Sequence, residues 1–539
     1  MTTHDGLSAC HKPMKDYAPD RATCASCALV CRWFYEPAGR VLWEELRDLS
    51  PLWSILRPLP PVELTKGRLR ERIIPETYYN SILEEKPFLD PRLWQSVKQC
   101  ASRVRELKSF KYANPPKPAE GNLWRALVGH NDDKTFLPSL RWLDYLHNPP
   151  NPSDLFALLA PPSLHTLQVT YCGWFYIGSD AYPEAYPVME NVVPLVAEQY
   201  PSLPALLITD WRGPASTFLP ELLLCRNLRS LTTEESPSVK FAPIHIRTLL
   251  ESLPRLAALK VHVEDFGKKQ PPSAASIYAP TLRTLRCIGT CADLAGVAAM
   301  TRASALREVE LQITDEKTMT LPELVECMQN ATSARLSSSL RRLSITPYLP
   351  RKFRRMPLGR TRASWASGLR PSPTLLQLEQ LELSLSPSLF APSLTDDDAL
   401  AIAQAMPRLR SLAIGSRHSL DVGMPSPRAL LHFAKYCPDL EQLSLQWLEG
   451  TPIPDLGAVR LTTPPRAHGL RSLCLSADKS AVDAPDALAE LLDYLFPRLT
   501  IQPNKLTSIC TWGKTARRLV LLQRKRWEVV GVSGSPVVP

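Results

Sequence analysis

Hydrophobic and polar residues alternate in a short phrase, Leu-x-x-Leu-x-(Leu/Ile/Val), that recurs along most of this chain. Alternation of this kind is the period-two pattern of a β-strand with one buried face. Clear copies read SLHTLQV, RLAALKV, SLRRLSI, RLRSLAI, DLEQLSL and GLRSLCL. The copies begin with an apolar residue at positions 104, 140, 164, 203, 228, 256, 282, 306, 340, 378, 409, 440 and 470, with a degenerate copy at 499.

The spacing of the phrases predicts a repeat protein. The shortest interval is 24 residues, from Leu140 to Leu164, and the longest is 39, from Leu164 to Leu203. Self-similarity of this kind marks a solenoid, in which each repeat buries its apolar side against its neighbours. A chain of 539 residues exceeds the ~250–300 residues at which a single core stops growing, whereas a solenoid core lengthens with each repeat.

Helix signals stand between the phrases. Thr320 precedes Glu323 at capping-box spacing, and Thr395 precedes three aspartates that favour the positive end of a helix dipole. Ser426-Pro427 and Pro485 open two more apolar-periodic stretches. Proline also separates helix from strand, because it cannot continue a helix and biases the preceding residue to extended geometry. These corner prolines are Pro254, Pro407, Pro438 and Pro497.

The phrases and corners resemble the irregular, helix-bearing kind of leucine-rich-repeat protein, over roughly Val104 to Leu499. The resemblance implies an α/β fold, a leucine-rich-repeat solenoid with a curved parallel sheet and outer helices. We expect the solenoid to occupy residues 104–505, with a basic insertion at 350–373. A connecting helical segment is expected at 61–103, and a C-terminal cap and tail at 506–539.

The segment 21–60 carries a second resemblance. From Cys24 to Leu46 it is predicted to form an amphipathic helix. The run LVCRWFYEPAGRVLWEEL is similar to the second half of an F-box, and the combination with irregular leucine-rich repeats resembles fungal F-box proteins. The opening Leu-Pro-x-Glu helix of that family is missing, so the F-box is interpreted as N-terminally truncated or degenerate. The resemblance therefore implies that a small all-α partial F-box precedes the solenoid, after a disordered stretch at 1–20. The resemblance implies that a Skp-family adaptor of a cullin complex binds at Leu29, Val30, Cys31, Arg32, Phe34 and Trp43.

Charge is concentrated in one place. The net charge is +10, and the stretch from Cys327 to Leu378 holds ten cations and no acidic residue. This basic stretch could be a nuclear import signal, a nucleic-acid contact or a pocket for an acidic substrate. We expect instead a mobile, solvated surface excursion at 350–373, because only Phe353 and Trp365 could support base stacking, which makes nucleic-acid binding unlikely.

Several classes of function are disfavoured. The 13 cysteines are odd in number and scattered, and Cys287, Cys437 and Cys474 stand at apolar positions. This pattern favours reduced, buried thiols of the cytoplasm or nucleus. Cys24, Cys27 and Cys31 lack the second knuckle of a zinc site, so no metal or cofactor is expected. No catalytic motif and no apolar run near the ~18 residues of a membrane span occurs, so we expect neither an enzyme nor a membrane protein.

The predicted function is that of an F-box substrate receptor in a Skp-cullin-F-box ubiquitin ligase, which binds a protein target on the concave strand face. The alternative is a leucine-rich-repeat scaffold with no ligase link. Leucine-arginine pairs recur once per repeat, and their expected role is structural, with the charged heads in water. The target should contact the residues around the second leucine of each phrase that point out of the sheet. The candidates are Gln168, Lys260, Arg286, Glu310, Ser344, Glu382, Ser444 and Gln446.

Overall fold

A computed structural model of the chain gives the positions on which the following description rests. The described residues are 26, 32–47, 49–57, 76–108, 122–123, 126–127, 129–131, 135–147, 161, 164–171, 192–209, 211, 214–233, 236, 239–266, 276–314, 320–333, 335–348, 369, 374–385, 394–416, 425–445, 453–462, 468–475, 484–499 and 511–529. The basic insertion at 350–373 lies outside them apart from position 369, and the N-terminal stretch at 1–20 lies outside them entirely.

The chain divides into two compact units. The first comprises Met1–Leu228 with Glu235–Ser238, and the second comprises Arg229–Glu234 with Val239–Pro539. The parallel strands of the first unit are β1 (Glu45–Leu46), β2 (Glu106–Lys108), β3 (Trp142–His147), β4 (Thr166–Tyr171) and β5 (Ala205–Thr209), paired in that order.

The second unit contains a longer parallel sheet. Its main strands are β6 (Ser230–Thr232), β8 (Ala258–Val263), β10 (Thr284–Gly289), β12 (Glu308–Ile313), β13 (Arg342–Pro347), β14 (Gln380–Leu385), β15 (Ser411–Ser416), β16 (Gln442–Leu445) and β17 (Ser472–Leu475), in that spatial order. The short strand β7 (Lys240–Phe241) pairs with β8, while β9 (Ile277–Tyr278) and β11 (Thr301–Arg302) pair with each other.

Helices connect the strands. The described helices are α1 (Arg32–Glu44), α2 (Ser50–Leu56), α3 (Glu76–Glu85), α4 (Pro91–Ala101), α5 (Val192–Gln199), α6 (Leu219–Leu222), α7 (Pro243–Ser252), α8 (Cys291–Met300), α9 (Leu321–Ala331), α10 (Asp396–Ala405), α11 (Arg428–Tyr436), α12 (Leu456–Thr462), α13 (Pro485–Leu495) and α14 (Thr511–Val529). Short 3-10 turns are formed by Pro87–Leu89, Ala215–Thr217 and Leu375–Gln377.

The alternating pattern determines which side chains form the core. Each phrase predicted from position 104 to position 470 forms a strand, which confirms the α/β solenoid. The second leucine of each phrase lies opposite its counterparts on the neighbouring strands, as Leu412 does between Leu381 and Leu443. Leu412 and Leu443 are each 1% exposed, as expected. Burial of such a side chain contributes ~1.5–3 kcal/mol.

A tight turn precedes most of the strands. Leu409 N–H donates to Met406 O at 3.2 Å across Pro407, and Leu440 N–H donates to Cys437 O at 3.1 Å across Pro438. Proline suits the second position of such a turn because its fixed φ is already correct. The residue before the proline leaves the helical region, with φ −130° and ψ 64° at Met406. The predicted role of these corner prolines is therefore observed.

The predicted helix starts at Thr320 and Thr395 are present. Thr320 N–H donates to a Glu323 carboxylate oxygen at 2.6 Å, which completes a capping box before α9. Asp398 N–H donates to Thr395 Oγ1 at 3.2 Å, and the Asp398 carboxylate accepts from Thr395 N–H at 2.9 Å. Both ends therefore satisfy backbone donors that a helix start otherwise leaves unpaired.

The N-terminal segment differs from its prediction. The amphipathic helix expected to continue to Leu46 ends at Glu44, and Glu45–Leu46 form β1, which pairs with Glu106 and Leu107. The sheet therefore begins before the expected boundary at residue 104. The sequence pattern missed this strand because two residues are too few for a period-two alternation to be visible.

The cysteines give a second difference. Burial raises the pKa values of Cys287 and Cys437 to about 12, so both are inert thiols, as expected. Cys474, in contrast, is exposed, although the sequence analysis predicted that it is buried. It lies between Leu473 and Leu475 in β17, at the outward position of the alternation.

The last helix packs on the preceding one. Ala516 and Leu519 of α14 are buried, and α14 lies against α13. Arg518 approaches Asp486 at 3.4 Å, and the side chain of Gln523 donates to Leu499 O at 2.8 Å. These contacts attach α14 to the final repeat of the second unit.

Candidate protein-binding face

The strands of the second unit present their alternate residues on the face opposite the leucine core. In β12, Val309 and Leu311 are buried, whereas Glu308 and Glu310, which alternate with them, are partly exposed. Because the strands are parallel and in register, equivalent residues form rows across the sheet. The sheet thus exposes rows of polar side chains on a rigid backbone.

Most of the predicted target-binding residues lie in one such row. We call it the central row, and it runs across β8, β10, β12, β13, β14, β15, β16 and β17 through Lys260, Arg286, Glu310, Ser344, Glu382, Ala413, Ser444 and Cys474. The structure brings six of the eight predicted residues into this row. Of the other two, Gln168 lies in the first unit, and Gln446 lies outside the described residues.

Side chains of the central row contact one another. An Arg286 guanidinium nitrogen lies 3.3 Å from a Glu310 carboxylate oxygen, and Ser344 Oγ donates to Glu382 at 3.1 Å. The Arg286 and Glu310 side chains are 25% and 28% exposed, so they are available to a partner but already held in place. Ser344 itself is buried. Holding these groups reduces the conformational entropy that a partner must remove on binding.

A second row was missed by the sequence analysis. The leading row lies two residues before the central row on each strand, and Glu308 and Arg342 within it form an ion pair at 2.8 Å. The period-two alternation that predicts an outward side chain at Glu310 predicts one at Glu308 as well. Only one outward position per repeat was considered as a contact for the target. The complete leading row is Ala258, Thr284, Glu308, Arg342, Gln380, Ser411, Gln442 and Ser472.

In the first unit, Gln168 belongs to a different environment. Its amide donates to Thr170 Oγ1 at 3.3 Å, and Thr170 donates in turn to the buried carboxylate of Asp144 at 3.0 Å. Thr209 Oγ1 donates to Thr170 at 2.8 Å. Asp144, Thr170 and Thr209 are each less than 9% exposed, so this network is structural and only Gln168 is partly accessible.

Near this network, Lys108 carries two acidic neighbours. Its ammonium lies 3.0 Å from Glu45 and 3.2 Å from Glu106. Burial lowers the pKa of Lys108, but hydrogen bonds and charge attraction from both carboxylates outweigh that effect and raise the pKa overall. The first strands therefore carry a fixed cation that is neutralised within the chain.

The predicted adaptor-binding residues are only partly described. Leu29, Val30 and Cys31 lie outside the described residues, while Arg32, Phe34 and Trp43 lie in α1. Trp43 is partly exposed. The sequence analysis overlooked Trp33, whose side chain is 89% exposed. Its exposure depends on which face of α1 meets the rest of the unit, and the apolar periodicity of a single short helix does not decide that.

Other chemistry is not apparent in the described part of the chain. No group of three or more metal-ligating side chains is assembled there, and Cys24, Cys27 and Cys31 lie outside it. None of the helices searched in that part is both long and apolar enough to cross a membrane.

Comparison with known proteins gives no sequence relative. No known family profile matches the chain, and no curated protein matches it. Similar solved structures include the yeast Rad7 and Elc1 complex, with 13% identity over 84% of this chain and 97% of that chain and a TM-score of 0.36. Another is the leucine-rich-repeat protein LegL7 from Legionella pneumophila, with 12% identity over 70% of this chain and 96% of that chain and a TM-score of 0.32. A third is the plant peptide hormone receptor RGFR1 in complex with RGF2, with 13% identity over 69% of this chain and 48% of that chain and a TM-score of 0.26.

The repeat geometry itself identifies the architecture. The described repeats share a strand whose second apolar residue joins a buried row across the sheet, and in most of them a helix and a short turn precede it. A stack of such units, each packed only on its neighbours, is a solenoid. The described chain therefore has the architecture of a leucine-rich-repeat protein.

Proposed function

We propose that this chain is a non-catalytic protein-binding subunit, an F-box-type substrate receptor of a Skp-cullin-F-box ubiquitin ligase in the cytoplasm or nucleus. The observation that carries the protein-binding role is the central row. Most of its polar groups are partly exposed, and they are aligned across adjacent strands and held by Arg286–Glu310 and Ser344–Glu382 contacts. Such a row provides fixed donors and acceptors for the surface of a protein target.

The adaptor-binding role is supported by α1. A tryptophan that is 89% exposed, Trp33, stands on this helix beside the F-box-like positions Arg32 and Phe34. Large aromatic side chains dominate the energetics of many protein interfaces. We therefore propose that the Skp-family adaptor covers Trp33 together with Phe34 and Trp43.

The mechanism in this proposal is proximity. A receptor that holds the adaptor at one end and the target on its sheet raises the effective concentration of target lysines near the ligase. The transfer chemistry would then belong to the other subunits. The residues of this chain would contribute binding and orientation.

Co-purification of the purified chain with a Skp-family adaptor tests the proposal. Trp33→Ala is expected to weaken binding by ~2 kcal/mol or more, which is about 30-fold, and Phe34→Ala and Trp43→Ala should do the same. Leu461→Ala is the matched control, because Leu461 is also 89% exposed but lies on α12 in the second unit. Equal binding by all four variants, or no binding of the original chain at micromolar adaptor, would refute the ligase role.

One observation favours a second function, that of a scaffold without a ligase link. β1 pairs with β2 directly after α1, and Glu44 of α1 meets Arg105 at 3.0 Å. The helix is thus built into the first repeats. Two results together would favour the scaffold function over the receptor function. The adaptor would not bind the chain, and a central-row variant such as Glu382→Lys would abolish the binding of an identified target.

A further inference from the structure

Arginines occupy four of five consecutive positions along one edge of the sheet in the second unit. At the start of each strand, a backbone N–H donates to the carbonyl of the equivalent residue one strand earlier. Arg307 donates to Arg283 at 2.9 Å, and Arg341 donates to Arg307 at 2.8 Å. On the other side, Arg283 donates to Ala257 and Ala257 donates to Arg229, both at 2.7 Å. We call Arg229, Arg283, Arg307 and Arg341 the arginine ladder.

These arginines are exposed, and most are not neutralised within the described chain. Arg341 pairs with Glu379 at 3.2 Å, but Arg229, Arg283 and Arg307 form no ion pair among the described residues. An arginine without an acidic partner can be explained by solvation alone when it stands singly. Several like charges on a fixed backbone repel one another, and an anionic partner relieves that repulsion.

The basic part of the edge has a defined length. Neighbouring strands lie about 4.8 Å apart, so the four steps from Arg229 to Arg341 span roughly 19 Å. An extended peptide rises about 3.3 Å per residue, so about six residues would match this distance. Beyond Arg341 the same edge continues as Glu379, Arg410, Glu441 and Arg471, whose charges alternate.

We propose that the arginine ladder binds an acidic peptide segment of the target protein. The inference rests on the proposed function, in which this sheet holds a protein, and it names the chemistry of that protein. Lys260 extends the basic area along β8, so the acidic segment would continue onto the central row. Electrostatic complementarity of this kind directs encounter and fixes register.

The composition of the edge disfavours a nucleic acid. The residues that follow Arg229, Ala257, Arg283, Arg307 and Arg341 are Ser230, Ala258, Thr284, Glu308 and Arg342, so these described positions offer no aromatic ring for base stacking. Glu379 and Glu441 would also repel a continuous phosphate backbone. A short acidic peptide needs to match only the basic part of the edge.

The test is fluorescence anisotropy of the full chain with a labelled ten-residue glutamate peptide at low salt. Arg229→Gln, Arg283→Gln and Arg307→Gln are combined in one variant, which is expected to bind the peptide about 10-fold more weakly. The control combines Arg302→Gln, Arg335→Gln and Arg428→Gln, which removes the same charge from three other exposed arginines. The control should change affinity by less than about two-fold, since distant exposed charges are screened.

Each other outcome overturns the inference. Equal losses in the two variants would mean that net charge, not the ladder, attracts the peptide. No peptide binding by the original chain at about 50 mM salt, where screening is modest, would remove the site. Tighter binding of an oligodeoxythymidylate, lost in the ladder variant, would make the edge a nucleic-acid site. The assay contains no adaptor, so a failure of the ligase proposal and a failure of this inference are separate results.

Discussion

Replacement of Leu412 by aspartate tests the repeat register more directly than any other change. Leu412 is 1% exposed in β15 and lies between Leu381 and Leu443 in the buried row. Removal of its side chain from the core costs ~2–5 kcal/mol, as for other buried leucines replaced by alanine. Burial of an unpaired carboxylate adds several kcal/mol more. The sum is comparable with the ~5–15 kcal/mol that stabilises a typical domain.

The adjacent residue provides the control. Ala413 follows Leu412 on the same strand, points to the opposite face and is partly exposed in the central row. We therefore expect Leu412→Asp to unfold the middle repeats and Ala413→Asp to change the free energy of unfolding by less than ~1 kcal/mol. Urea titration followed by far-UV circular dichroism measures both. If Leu412→Asp unfolds at the original urea concentration, or if the two variants are equally destabilised, the register is wrong.

Two further changes probe packing and ionisation. A Cβ on Gly296 would lie 2.6 Å from the carbonyl oxygen of Phe266, so Gly296→Ala should lower the free energy of unfolding by ~1–3 kcal/mol. A Cβ on Gly129 would meet nothing within 4 Å, so Gly129→Ala should leave the free energy of unfolding unchanged. Thermal melting compares the two variants. Burial lowers the pKa of His468 despite its hydrogen bond to Cys437 O. As the pH falls, the unfolded chain therefore binds a proton at this histidine before the folded chain does. The stability that the neutral ring contributes is lost as the pH falls through about 6.5, the ordinary pKa of histidine. Urea midpoints between pH 8 and pH 5.5 should fall more steeply for the original chain than for His468→Gln, and parallel curves would contradict this reasoning.

The sequence was most informative where one physical rule acted locally. Leu412 and its equivalents were identified from the phrase alone, because a period of two fixes which side chains a strand buries. Thr320 and Thr395 were identified because a capping side chain acts within four residues. The six central-row residues follow from the same alternation once the parallel register is known.

Features that depend on distant parts of the chain could not be predicted. The pairing of Glu45 with Glu106 joins segments that share no sequence phrase. Cys474 was wrongly assigned to the core because its apolar neighbours were given more weight than its alternate position. The arginines of the ladder were visible as leucine-arginine pairs, but which of them have an acidic partner depends on side chains one repeat away, as Arg341 and Glu379 show.

The connection from helix to strand has the same length in four of the described repeats, those that end in β5, β8, β15 and β16. This affects how the chain can change. β15 begins six positions after α10 ends, from Ala405 to Ser411, and the interval from Tyr436 to Gln442 is the same. Connections that leave the other ends of the strands differ widely, from two positions between Gly289 and Cys291 to twenty-one between Tyr171 and Val192. Substituted or lengthened peptides should therefore be tolerated after a strand better than in the six-position connections that precede these four strands. Chains with varied loops inserted after β14 or β15 should therefore retain the parallel sheet, while the inserted loops carry new side chains beside the central row.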